Sequence, residues 1–93
     1  MPLVGKLMGA KIFIYYQDHN PFHVHVVQSE HAAEVSIETQ EVIEGRIPLK
    51  LRKQAINWIR DHAEELMDRW NLAKTGTEFE PIDEEYDDDA FYR

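Results

Sequence analysis

A small α+β domain is the fold class this sequence predicts: an antiparallel sheet of about four strands, one long C-terminal helix packed on one face, and an acidic tail. Three observations predict it. Two neighbouring segments alternate apolar and polar residues in a shared register, as half-buried strands do. Later residues repeat at three- and four-residue steps, as a helix with one apolar face does. The chain has 93 residues, enough for one core and too few for a second.

The first strands are read in "LVGKLMGAKIFIYY", about Leu3 to Leu7 and Lys11 to Tyr16, joined through Met8, Gly9 and Ala10. Glycine supplies the turn, and Ile, Phe and Tyr suit a pleated surface. "QDHNP" is a loop, because Asp, Asn and Pro favour turns and the residue before Pro21 is pushed out of the helical region.

"NPFHVHVVQ", residues 20 to 28, begins the third strand. If it turns through Ser29 and Glu30 into His31 to Glu38, then Phe22 faces Ile37, Val24 faces Val35 and Val26 faces Ala33 on one side. On the other side His25 faces Glu34 and His23 faces Ser36. A slip of one residue would put every apolar side chain on the wrong face. Ser-Glu is a poor tight-turn pair, so a four-residue loop in the same register is an alternative.

"ETQEVIEGRI" reads as a connector. Pro48 fits the first helical turn. Arg52, Ile56, Ile59, Ala63, Leu66, Met67 and Trp70 form the stripe expected to cover the sheet, and Gly76 follows as a stop signal. Residues 1–75 make the domain. Residues 76–93 make an acidic tail that carries Phe79, Ile82, Tyr86, Phe91 and Tyr92.

Composition narrows the function classes. There is no cysteine, which removes disulfides and thiolate metal sites. No apolar run approaches a membrane span, so no membrane association and a cytoplasmic location are expected. The net charge of −8 is uneven. Residues 1–75 hold 9 Lys+Arg against 10 Asp+Glu, and residues 76–93 hold 1 against 8. The body is near neutral, so total charge does not exclude a phosphate-bearing partner.

The Pro21-Phe22-His23-Val24-His25 strand, the hairpin containing Gly9, the Glu34 to Ile37 strand and the late Trp70 together resemble a bacterial family known as domain of unknown function 4160. The likeness covers about residues 1 to 74. The family often has a second proline where this chain has Phe22. The resemblance implies a small partner protein encoded nearby, in a pair of toxin–antitoxin type.

Two chemistries suit the histidine strand. Imidazoles at i and i+2 on one strand face lie about 7 Å apart. With Glu34 across from His25, the set His23, His25 and Glu34 can hold zinc or iron, with His19 or His31 in reserve. The same three residues can serve as a catalytic group for acid–base work on RNA or another phosphate substrate, which also needs a cation.

Arg46, Lys50 and Lys53, beside Arg52, are the anion-binding candidates. They gather where the helix dipole prefers negative charge. A solvated basic face is the plainer account of them. The plainer account of the histidines is structural, with His25 paired to Glu34 and His23 bonded to Ser36 or the loop.

Trp58 points about 120° off the stripe at 100° per residue. It is a candidate partner-binding residue, the alternative being contact with the sheet edge or the tail.

Two functions follow from the sequence. One is a component of a toxin–antitoxin-like pair acting on RNA or phosphate through the histidine face. The other is a non-enzymatic module that binds a metal or a protein through it. An enzyme needs that face open and lined by a cation. Both fail if the helix crosses it.

Overall fold

A computed structural model of the chain describes residues 3–16, 19 and 21–82. Five strands, one more than expected, follow each other as an antiparallel meander in the order β1-β2-β3-β4-β5. They are β1 (Leu3–Leu7), β2 (Ala10–Phe13), β3 (His23–Gln28), β4 (His31–Ser36) and β5 (Val42–Arg46). Two helices follow, α1 (Leu49–Asp61) and α2 (Ala63–Lys74).

The β1–β2 turn has Met8 and Gly9 both at positive φ, 53° and 79°, the backbone twist that suits a two-residue hairpin. In the central hairpin the expected register holds at every pair: His23 faces Ser36, Val24 faces Val35, His25 faces Glu34 and Val26 faces Ala33. Gln28 faces His31, so the loop is the shorter, two-residue form, with Ser29 at φ 51°.

The fifth strand is a correction. Val35 pairs with Val42 and Glu34 with Glu44, so Ile43 is an extra residue in a bulge and breaks the period-2 alternation of the strand. Beyond it, Gly45 sits at φ +85°, and a Cβ there would lie 2.3 Å from the Ala32 carbonyl oxygen. Gly45→Ala therefore combines a left-handed backbone, about 1–2 kcal/mol, with a backbone clash of about 1–3 kcal/mol. The expected result is a lower urea midpoint and faster amide exchange confined to residues 42–46. Unchanged exchange there would contradict the close approach.

The single long helix is also corrected. His62, at φ −112° and ψ 20°, separates α1 from α2. The hydrogen-bond ladder nevertheless continues, since the His62 N–H donates to the Trp58 carbonyl and the Leu66 N–H to the His62 carbonyl. Pro48 precedes the helix, at its N-cap. The helix ends where Gly76, at φ +74°, takes the left-handed conformation a C-terminal stop requires.

Both helices lie against the face carrying Ile12, Val24, Val26, Ala33 and Val35. Leu51, Ala55, Trp58, Ile59, Leu66, Trp70 and Ala73 complete the core. Compared with the expected stripe, the buried line in α1 is shifted: Leu51 is buried and Arg52 exposed. Trp58 falls on that line, so the exposure that made it a partner-binding candidate is corrected. It is 6% exposed and packs on the sheet edge, where a Cβ on Gly5 would come within 2.5 Å of its ring.

After α2 the chain returns to β1, with the Ile82 N–H donating to the Val4 carbonyl and Phe79 and Ile82 packed against the core. Tyr86, Phe91 and Tyr92 of the tail lie outside the described residues.

Candidate functional site

Because the helices take the Val24/Val26 face, the histidines belong to the other one. Strand alternation puts Lys11, Phe13, His23, His25, Val27, Ala32 and Glu34 on that face. His25 stands between Phe13 of β2 and Glu34 of β4, and Glu34 faces Glu44 of β5.

His23 is fully buried. Its Nδ1 lies 2.6 Å from the Pro21 carbonyl oxygen. A carbonyl only accepts, so Nδ1 carries the proton and donates. That bond fixes the ring and aims Nε2 across the sheet, 3.6 Å from Glu34 Oε1. Trp70 of α2 backs the ring at 5.2 Å between centroids, and Trp70 itself packs on Phe22 at 5.7 Å. The imidazole is thus set from both sides, by a loop carbonyl and by a core tryptophan.

His19, from the loop before Pro21, completes the arrangement. Its ring lies 5.3 Å from that of His23, and one ligand atom from each of His19, His23 and Glu34 lies within 4.8 Å of the others. A tetrahedral ion with bonds of about 2.0–2.1 Å needs ligand atoms about 3.4 Å apart. Exposed His19 can supply the difference by closing at most about 1.4 Å.

His25, expected in this set, is engaged elsewhere. Its ring lies 4.1 Å from that of Tyr15 and 4.9 Å from that of His23. Of the sequence candidates, His23 and Glu34 are brought together and His25 stands beside them.

Of the anion-binding candidates, Arg46 falls by register on the histidine face. Arg46 is opposite Ala32, two residues along the strands from the Glu34–Glu44 pair, and does not line the depression beside His25. Lys50 and Lys53 are exposed on α1. The depression beside His25 is lined by Ala32, Ala33, Glu34, Glu44 and Gly45. Two carboxylates, and no cation among the described residues, border it. Like charges directly opposite on neighbouring strands destabilise a sheet, so the Glu34–Glu44 pair is a cost the fold carries on this face.

Sequence reading missed two participants. Glu44 was hidden with its strand. Tyr15 carried only a strand signal.

A scan of family models matches residues 9–71 to a domain of unknown function, DUF4160. The chain belongs to this family. No curated protein and no solved structure matches it. The matched span of this DUF4160 chain contains His19, His23, His25, Glu34 and Trp70, which is the whole site with its support. Among the described residues no helix is long and apolar enough to cross a membrane.

Proposed function

We propose that this DUF4160 chain is a metal-binding module in which His19, His23 and Glu34 hold one divalent zinc or iron ion. The observation that carries the reading is the aim of His23. With Nδ1–H committed to the Pro21 carbonyl, Nε2 is the ring nitrogen aimed at a carboxylate oxygen 3.6 Å away. A cation can be shared between an imidazole nitrogen and a carboxylate oxygen so placed, and a backbone carbonyl on the second ring nitrogen is the usual orienting partner of a ligand histidine. The Glu34–Glu44 juxtaposition supports the same reading, since a bound cation offsets it.

Acid–base chemistry on RNA or another phosphate, as one half of a toxin–antitoxin-like pair, is less favoured. It wants a cation beside the imidazoles to hold the phosphate charge, and the charged groups that line the depression with His25 are carboxylates, Lys11 and Arg46 standing further along the face. Three protein ligands leave room for water or for a side chain of a partner protein in the fourth position.

Calorimetric titration of the full chain with zinc or iron(II) tests the proposal. One equivalent is expected to bind with a dissociation constant below about 10 µM, with His19→Ala weakening it about 10- to 100-fold. Absence of saturable binding up to about 1 mM of either ion would overturn it.

A further inference from the structure

Two surface features away from the metal site complement each other. The first is an open groove of about 500 Å³ at the start of α2. Phe22, Ile37 and Met67 give it an apolar floor, and Glu38, Glu64 and Asp68 an acidic rim. No basic residue lines it among the described residues.

The second feature is the first turn of α1. Leu49 is 55% exposed there, and its neighbours Lys50, Arg52 and Lys53 are exposed as well. The turn has no acidic residue and no side-chain cap. Three cations at a helix N-terminus oppose the dipole, and Leu49 among them leaves more than half of its surface in solvent.

The topology sets these features at opposite ends of one flank. The groove abuts the Ile37–Gln40 turn, which leads into β5. The basic turn follows where β5 ends. Five residues of strand separate them, about 17 Å. β5 is an edge strand, and its bulged Ile43 is 43% exposed. Among the described residues, Tyr16, Ile43, Leu49 and Leu72 are large apolar side chains left exposed, and Ile43 and Leu49 both lie on this flank.

We infer that the flank is the interface of a two-fold dimer, in which each copy seats its Leu49–Lys53 turn in the acidic groove of the other. A two-fold axis near the middle of β5 brings both contacts together, because groove and turn stand on either side of it. The contact closes on itself, so it yields a dimer and no filament. Charge complementarity selects the occupant. The groove is acidic and apolar, and the α1 turn is basic and apolar. The chain's own 83–93 segment, with six Asp or Glu and one Arg, has the wrong sign for the groove.

Sedimentation velocity with two charge-reversed chains tests this independently of metal binding. The first chain carries Glu38→Lys and Asp68→Lys, and the second Lys50→Glu and Lys53→Glu. Each alone places like charges in both contacts and should dimerise at least about tenfold more weakly than the native chain. An equimolar mixture restores opposite charges in both contacts and should recover the dimer. Leu49→Asp, at an exposed position, should weaken dimerisation to a similar degree and decides the matter if a charge-reversed chain does not fold. A native chain that stays monomeric to about 1 mM, reversals without effect, or a mixture of two folded variants that stays monomeric would each overturn the inference.

Discussion

Trp70→Ala is expected to cost the domain about 3–5 kcal/mol, the usual range for removing a large aromatic side chain from a core. Native domains of this kind hold about 5–15 kcal/mol in total, so the variant keeps little stability. The loss is large because the ring is 1% exposed and meets Phe22 and His23 at 5.7 and 5.2 Å. It also removes the wall behind the His23 imidazole, so metal affinity should fall with stability.

Trp70→Phe separates the two contributions. It keeps most of the ring contact and deletes an indole N–H that is buried with no hydrogen-bond partner among the described residues. A buried unpaired donor costs about 1–3 kcal/mol, and its removal offsets part of the lost volume. The Phe variant should therefore lie within about 1.5 kcal/mol of the native chain. Urea unfolding followed by ellipticity measures both. A native midpoint for Trp70→Ala would mean that the ring is not a core element.

The central hairpin was legible because two constraints coincide there. Phe22, Val24 and Val26 must face Ile37, Val35 and Ala33, and only one register achieves it. That same register sets Glu34 beside the histidines. The fifth strand was not legible, because Ile43 interrupts its alternation and Gly45 reads as a loop residue. Nor was the helix break, since neither proline nor glycine stands at His62. Trp58 was misread through the phase of the stripe. Centring that stripe on Arg52 and Ile56, not on Leu51 and Ala55, turns a core tryptophan outward.

Within the site, period 2 gives only the face a side chain shares. His23 and His25 share one, yet different neighbours claim them: the Pro21 carbonyl and Trp70 hold the first, and Tyr15 stacks on the second. His19 comes from a loop, where no periodicity places a residue. Ligand candidates are therefore readable from a strand, whereas the choice among them depends on contacts from elements distant in sequence.

That choice makes the two histidines unequal, and asparagine replacements expose the difference. In His23→Asn the amide nitrogen takes the place of Nδ1 and can still donate to the Pro21 carbonyl, while the atom at the Nε2 position is gone. The fold should survive with a cost of about 1–3 kcal/mol for the lost ring volume. Zinc affinity should drop at least about 100-fold, or about 2.7 kcal/mol, because a ligand has been removed and not just a supporting contact. His25→Asn removes the ring that packs against Tyr15 and His23 but no ligand atom, so affinity should fall less than about tenfold. Calorimetry with each variant, beside metal-free melts, gives both quantities. If His25→Asn proved the more damaging, the ion would belong in the depression bordered by His25, Glu34 and Glu44, with Glu34 the ligand common to both arrangements. If neither replacement changed affinity, no imidazole of this strand would hold the ion. The Pro21 carbonyl would then orient His23 for packing against Trp70 alone.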